Sequence, residues 1–224
     1  MPLGPKYQLN DDVISDSFEF KDFVPSVFIN LKIGSDFDER MRGDHTDETF
    51  WALGGDDEIH SYGGDDAVYG GDGDDTAFAG NGNDRVEGGN GDDIIFGENG
   101  NDILNGGRGN DLMSGGDGED TVNGGAGEDT VNGGQGNDTL TGGGDADTFW
   151  FDHLNGWGED TITDFEDGID MISFEQNPEL GPAISFDDLT IVQIGNHSVV
   201  SYNGSSIYVN NVSAGQLTED DFIF

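Results

Sequence analysis

The sequence predicts an all-β protein: a right-handed parallel β-roll of nine-residue repeats, with strands capping its N-terminal end and an antiparallel β meander at its C-terminal end. Three observations predict it. A glycine- and aspartate-rich nonapeptide repeats without a gap from Gly43 to Trp150, an apolar residue recurs at one place in every unit, and an acidic residue recurs two places before it. Self-similarity at a short fixed period marks a solenoid, in which a unit buries too little alone and is stabilised by its neighbours.

Residues 1–42 carry Phe18, Phe20, Phe23, Val27, Phe28, Ile29, Leu31 and Ile33 and read as strands capping the first coil. The other reading is a small binding surface for glycans or a cell envelope. Forty residues are too few for an independent catalytic core.

The roll spans residues 43–163. With Gly70–Phe78 set as positions one to nine, the register runs forward to Trp150 and back to Gly43, giving twelve units. Position six reads Glu48, Asp57, Asp66, Asp75, Asp84, Asp93, Asp102, Asp111, Asp120, Asp129, Asp138 and Asp147. Position eight reads Phe50, Ile59, Val68, Ala77, Val86, Ile95, Leu104, Met113, Val122, Val131, Leu140 and Phe149. After an insertion of Phe151 to Leu154 the pattern returns once, from Asn155 to Thr163.

Position eight, between polar or mixed neighbours, predicts a three-residue strand with one inward side chain, because strand side chains alternate faces. Positions one to six then make the turn, where glycine supplies φ > 0 and brings carbonyls close to an ion. Two units make a coil of eighteen residues, with two sheets facing across a thin core and turns stacked along each edge. The position-six carboxylates then form two columns. With coils about 4.8 Å apart, each adjacent pair repels by roughly 1 kcal/mol even at the dielectric of water. Asp47, Asp56, Asp65, Asp74, Asp92, Glu119 and Glu128 at position five add to the charge.

Such a roll requires cations. Stacked carbonyl and carboxylate oxygens suit Ca²⁺, which takes six to eight of them; Mg²⁺ wants a tighter octahedron, and Zn²⁺ prefers nitrogen or sulfur. Multiple Ca²⁺ ions are the expected cofactor, with about ten candidate sites. Ions that bind only the folded chain turn binding free energy into folding free energy.

Residues 164–224 read as a β cap. Leu189–Ile194, Val199–Tyr202 and Ser206–Val209 alternate apolar and polar, with turns at Gly195-Asn196 and Asn203-Gly204, which predicts the meander.

The chain holds 7 Lys plus Arg against 48 Asp plus Glu, a formal net charge of −41. That balance argues against nucleic acid, which needs basic partners, and against adhesion to anionic membranes. No stretch approaches the roughly 18 apolar residues of a membrane span. There is no Cys to staple the fold. The N-terminus has no apolar h-region, so no Sec-type signal is expected.

The pattern Gly-Gly-x-Gly-x-Asp-x-U-x, at 70–78, 88–96, 106–114, 115–123, 124–132 and 133–141, resembles the repeats-in-toxin (RTX) calcium-binding β-roll family. The chain is similar to the C-terminal domain of serralysin-type secreted proteins. The resemblance implies that each ion sits between turns on one edge. It would take main-chain oxygens of positions two and four plus the Asp of one turn, and of positions one and three plus the Asp of the next-but-one unit.

Applied here, the implied carboxylate ligands are Asp57, Asp66, Asp75, Asp84, Asp93, Asp102, Asp111, Asp120, Asp129, Asp138 and Asp147. The implied main-chain ligands start with Gly55 and Gly64, then Gly70, Gly71, Asp72 and Gly73, then Ala79, Gly80, Asn81 and Gly82. They continue through Gly88, Gly89, Asn90 and Gly91; Gly97, Glu98, Asn99 and Gly100; Gly106, Gly107, Arg108 and Gly109; and Gly115, Gly116, Asp117 and Gly118. The last are Gly124, Gly125, Ala126 and Gly127; Gly133, Gly134, Gln135 and Gly136; and Gly142 and Gly144. Ala79, Glu98 and Asp145 stand where the pattern has glycine, which the backbone tolerates only if φ/ψ allows. Thr46 and Glu48 make the first unit an atypical cap.

The segment Thr148–Phe151 followed by Asp160–Asp170 resembles the strand pair closing the roll in serralysin-type domains. It implies late sites at Asp160 and, with it, Asp164, Asp167 and Asp170, the alternative being solvated turn acids. The terminal Asp221, Phe222, Ile223 and Phe224 resemble the family's uncleaved type I secretion signal, and a last edge strand is compatible with it. The resemblance thus implies a bacterial protein, secreted and extracellular or cell-surface associated, with the type I secretion machinery as a partner.

His45, His60, His153 and His197 lie apart, no His-Glu-x-x-His helix occurs and no nucleophile elbow is present. The sequence therefore reads as a secreted, non-catalytic calcium-binding protein acting at the cell surface or in the extracellular matrix, with a glycan or cell-surface ligand as a further expected partner. The rival reading is a calcium-binding carrier module of a polysaccharide-modifying or hydrolytic secreted enzyme.

Overall fold

The computed structural model describes residues 30–152, 156–174 and 184–224. Phe18, Phe20, Phe23, Val27, Phe28, Ile29, His153 and Asn155 lie outside them. Two sheets run the length of the molecule. The first contains β1 (Asn30–Ile33), β3 (Glu48–Gly54), β5 (Ala67–Asp72), β7 (Arg85–Asn90), β9 (Ile103–Arg108), β11 (Thr121–Ala126), β13 (Thr139–Gly144) and β15 (Glu159–Ile162) in parallel order, then β19 (Ser205–Val209), β18 (His197–Tyr202) and β17 (Thr190–Ile194).

The second contains β2 (Arg40–Arg42), β4 (Glu58–His60), β6 (Thr76–Asn81), β8 (Ile94–Asn99), β10 (Leu112–Asp117), β12 (Thr130–Gln135), β14 (Thr148–Phe151), β16 (Met171–Phe174) and β20 (Phe222–Ile223), all parallel. Val86 lies opposite Leu104 and Met113 opposite Val131, so the coil is eighteen residues, as the repeat predicts.

The strands are longer than the three residues expected. Ile94–Asn99 and Thr121–Ala126 each have six, because positions one to three pair with the next coil, through a left-handed kink at position two: Gly71 with Gly89, Asp72 with Asn90. Only positions four to six turn. Position one, expected in the turn, continues the strand instead, and the missing Cβ of its glycines lets a second inward position fit a thin core. Position one is buried beside position eight in every unit from Ala52 to Gly142. The core is the row Met41, Phe50, Ile59, Val68 and onward to Leu140 and Phe149, all 3% exposed or less.

The roll also begins earlier than Gly43. Gly34–Arg42 forms a further unit, with Glu39 at position six and buried Met41 at position eight, and β1 pairs with β3 in the same eighteen-residue register. Beyond the array, Ile162 and Ile172 extend the core row at 0% exposure. The meander β17–β18–β19 is antiparallel, turning at the two expected Asn/Gly pairs, and β19 docks on β15 in parallel. Phe151, Trp157, Phe174, Phe222 and Phe224 pack as rings 5.5–6.2 Å apart and close that end. Among the described residues no helix is long and apolar enough to cross a membrane.

Candidate metal centre

The turns stack because two of their residues sit in left-handed backbone. Gly71 and Gly73 have φ of 127°, and Gly89 and Gly91 have 129° and 135°. This conformation turns the carbonyls of positions two and four toward the following coil: a Cβ on Gly89 or Gly91 would lie under 3.0 Å from Gly71 O or Gly73 O. Carbonyls of positions one and three face the other way. Gly88 O lies 2.5 Å from where a Gly70 Cβ would be, and Asn90 O accepts the Gly73 N–H at 2.8 Å. Four main-chain oxygens therefore face each inter-coil gap.

The position-six carboxylates enter the same gaps. Asp75 Oδ1 accepts the Asp57 N–H at 2.8 Å, and the step repeats on both edges, ending with Asp160 Oδ1 on Asp138 N at 2.9 Å and Asp170 Oδ1 on Asp147 N at 3.0 Å. One oxygen of each carboxylate thus cross-links two coils. The other has no partner: Oδ2 of Asp57, Asp66, Asp75, Asp84, Asp93, Asp102, Asp111, Asp120, Asp129, Asp138, Asp147 and Asp160 is buried without a hydrogen bond. The Asp170 Oδ2 instead accepts the Glu166 N–H at 2.8 Å.

Burial pushes these carboxyls up, against the backbone N–H groups that pull them down, and neighbouring acids raise several further. Asp75 and Asp102 rise to about 6, Asp93, Asp120 and Asp129 to about 7, and Asp160 to about 8. A buried carboxylate oxygen with no donor costs several kcal/mol unless a proton or a cation meets it. Among the described residues no three His, Cys, Asp or Glu side chains gather as a metal-binding group. The donor set is therefore a pair of carboxylates plus main-chain carbonyls, all hard oxygen, which fits Ca²⁺.

The departures from glycine fall where the backbone accommodates them. Glu98 and Asp145 adopt φ of 74° and 78°, while Ala79 sits at extended position one. Leu53 and Tyr62, at position two, also hold left-handed φ, 82° and 72°, and their carbonyls face Gly71 and Gly80. Sequence reasoning missed both because their side chains hid a backbone role; the step of nine was the signal that could have found them.

It also missed what position five does. Asp56 Oδ1 accepts the Asp74 N–H at 3.0 Å, Asp74 Oδ1 that of Asp92 at 2.8 Å, and Asn83 and Asn101 repeat this on the other edge. These side chains form an outer ladder running opposite in direction to the inner one.

Asp164 accepts the Gly142 and Gly143 N–H groups at 3.0 and 2.9 Å, and burial first and then its charge raise the Asp147 and Asp170 carboxyls at the end of the inner column, while Asp167 meets Gln216. His60 lies on the outer face against Glu58 and Phe78, far from His197 in β18. At the C-terminus, Asp221 accepts Thr218 N–H at 2.7 Å, and Phe222 lies opposite Ile172.

The family described as the RTX calcium-binding nonapeptide repeat (4 copies) matches residues 42–77, 78–113 and 114–149. No curated protein matches the chain. Among solved structures, an extracellular lipase from Serratia marcescens is similar at 18% identity and a TM-score of 0.47, covering 87% of this chain and 40% of the lipase. This chain therefore spans about two fifths of that lipase's length. A subunit of the mannuronan C5-epimerase from Azotobacter vinelandii is similar at 22% identity and a TM-score of 0.31, over 68% of this chain and 78% of the subunit. Two carboxylate ladders in eighteen-residue register, left-handed position-two and position-four turns, and a family match along the array lead to one conclusion: the β-roll of this chain belongs to the RTX family of calcium-binding repeats.

Proposed function

We propose that the protein is exported, folds outside the cell as calcium binds along both edges of the roll, and acts without catalysis at the cell surface or in the extracellular matrix. The observation that carries this reading is the row of buried, unpartnered Asp Oδ2 atoms along the two edges. Gly71, Gly73 and Asp75 with Gly88, Asn90 and Asp93 would hold one ion, and the same set recurs in steps of nine. The ion supplies the positive charge that lets facing carboxylates remain ionised together. Free calcium outside cells reaches the range to which extracellular modules are tuned, about 10⁻⁴–10⁻³ M. A chain of charge −41 kept from calcium stays extended, the state an export channel needs.

Far-UV circular dichroism of the purified chain at pH 8 tests the folding half: a disordered spectrum in EDTA and a β spectrum after calcium is restored. An unchanged spectrum in EDTA would overturn it.

One observation favours a second reading, a carrier module that faces polysaccharide. On the outer face of the second sheet, His60, Phe78 and Phe96 stack at 4.7 and 5.3 Å, and a groove of about 410 Å³ between Phe96 and Trp150 is floored by Ser114 and Asn132. Flat apolar rings beside small polar groups suit the faces and hydroxyls of sugar rings. Screening the calcium-loaded protein for retention on insoluble polysaccharides, with Trp150→Ala as the control, separates the two readings.

A further inference from the structure

Position one is not uniform along the ladder. At Gly70, Gly88, Gly97, Gly106, Gly115 and Gly124, a Cβ would lie under 3.0 Å from two oxygens at once: Oδ2 of the Asp in the same unit and the position-one carbonyl one coil on. For Gly97 these are Asp102 Oδ2 and Gly115 O, the latter at 2.5 Å. The glycine hydrogen leaves these two oxygens free to approach one another across the gap.

Three units in the N-terminal half of the roll, on either side of the Gly70 unit, carry a side chain there instead: Ala52, Ser61 and Ala79, each 0% exposed. Their Cβ atoms stand where the Oδ2 atoms of Asp57, Asp66 and Asp84 would otherwise lean. Ser61 goes further, because its Oγ donates to Ala79 O at 2.7 Å and so engages the very carbonyl that corresponds to Gly115 O.

One step further out, the ladder ends on protein donors. Glu48 takes the Asn30 side-chain amide at 2.9 Å, the Asp44 N–H at 3.1 Å and the Lys32 ammonium at 3.9 Å, and Glu39 takes the Ser35 N–H at 3.0 Å and its hydroxyl. Neither glutamate has a buried oxygen left without a partner.

We infer that the ladder is graded along its length. The gaps that open on the following coil beside the six glycines are tight calcium sites, and the three gaps Asp57–Asp75, Asp66–Asp84 and Asp84–Asp102, crowded by Ala52, Ser61 and Ala79, form a weaker class. This rests on the calcium reading proposed above. Calcium affinity follows the number and placement of oxygens at 2.3–2.6 Å, so a methyl or hydroxymethyl group that moves a carboxylate oxygen, or a hydroxyl that occupies a carbonyl, weakens the site. The N-terminal coils then gain and lose ions as free calcium varies, while the central coils stay loaded.

Calorimetric titration of calcium into the full chain, with ions counted by native mass spectrometry at each step, tests this. Wild type is expected to show a class of at least three ions bound at least about tenfold more weakly than the main class. The triple variant Ala52→Gly, Ser61→Gly, Ala79→Gly moves three ions into the tight class. Gly97→Ala moves one ion the other way, so a general folding defect cannot mimic both results; circular dichroism at saturating calcium checks that each variant reaches the same fold. A single class in wild type, or a weak class of unchanged size in the triple variant, overturns the grading. No calcium uptake by any chain would overturn the calcium reading as well.

Discussion

Each position-six aspartate performs two tasks with two oxygens, and the tasks pull in opposite directions. Oδ1 ties neighbouring coils through a backbone N–H, as Asp129 Oδ1 does for Asp111 N at 2.8 Å, while Oδ2 is buried with nothing to meet it. Asp111→Asn keeps an acceptor for the Asp93 N–H and removes the charge, so its effect changes sign with calcium. In chelator it stabilises whatever roll persists; in saturating calcium it destabilises the fold by roughly 1–3 kcal/mol, the loss of one charged partner. Urea denaturation with and without calcium measures both, and a shift of the same sign in both conditions would show that the residue is no cation ligand. Glu98, at φ 74°, holds left-handed backbone that costs a side-chain-bearing residue about 1–2 kcal/mol. Glu98→Gly raises the calcium-loaded thermal midpoint, and Gly91→Ala, whose Cβ would collide with Gly73 O, lowers it. These residues were legible in the sequence because a side chain repeated at a fixed place. Leu53 and Tyr62 were not, because a carbonyl leaves no mark on the residue that carries it.

At the scale of the strand and turn, period and register could be read and extent could not. Position eight fixed the core row because every unit offers one apolar residue, but the glycines at positions one and two gave no sign that they pair as strand rather than turn. The unit at Gly34–Arg42 was hidden for a related reason: Phe37 and Asp38 replace its turn pattern, and only Met41 and Glu39 keep the step of nine. The stacked turns also make stability depend on pH. Burial first, then neighbouring acids in several units, raise the position-six carboxyls to about 6–7 in the fold, against about 3.9 in an unfolded chain. Between those values the folded state holds protons that the unfolded state has released, so stability falls as pH rises through the window. In chelator the roll is most stable near pH 4 and lost by about pH 8. With saturating calcium the ion replaces the proton, and the loss disappears. Circular dichroism followed from pH 4 to 8 in EDTA and again in calcium checks the sign; a chelated fold that strengthened with rising pH would refute it.

Over the described length of the roll, the two ends differ in what they place against the last coil. Among the described residues the N-terminal end carries a charge contact: Lys32 stands 3.9 Å from Glu48 and over the Phe50 ring. The C-terminal end closes on aromatic packing, and the last strand takes part in it. Phe222 is 6% exposed and stacks on Phe174 at 6.2 Å, while Phe224 lies 6.0 Å from the same ring. The segment proposed as an export signal is therefore also part of the folded cap, and the two roles act in different states of the chain. A signal is read while the protein is unfolded in the cell; a cap counts only after calcium has folded it. Deleting Phe222–Phe224 should then do two separable things. Export into the medium is lost, measured by the share of the chain outside the cells. The same truncation, purified under denaturing conditions and refolded in calcium, still forms the roll but with stability lower by about 3–5 kcal/mol, the usual cost of losing a buried aromatic side chain. Replacing Phe222 by Leu separates the roles further: the cap keeps most of its apolar contact, so a variant that folds nearly as well as wild type yet stays inside the cell assigns the terminal strand to export. Secretion of the truncated chain at the normal level would leave packing as its whole role.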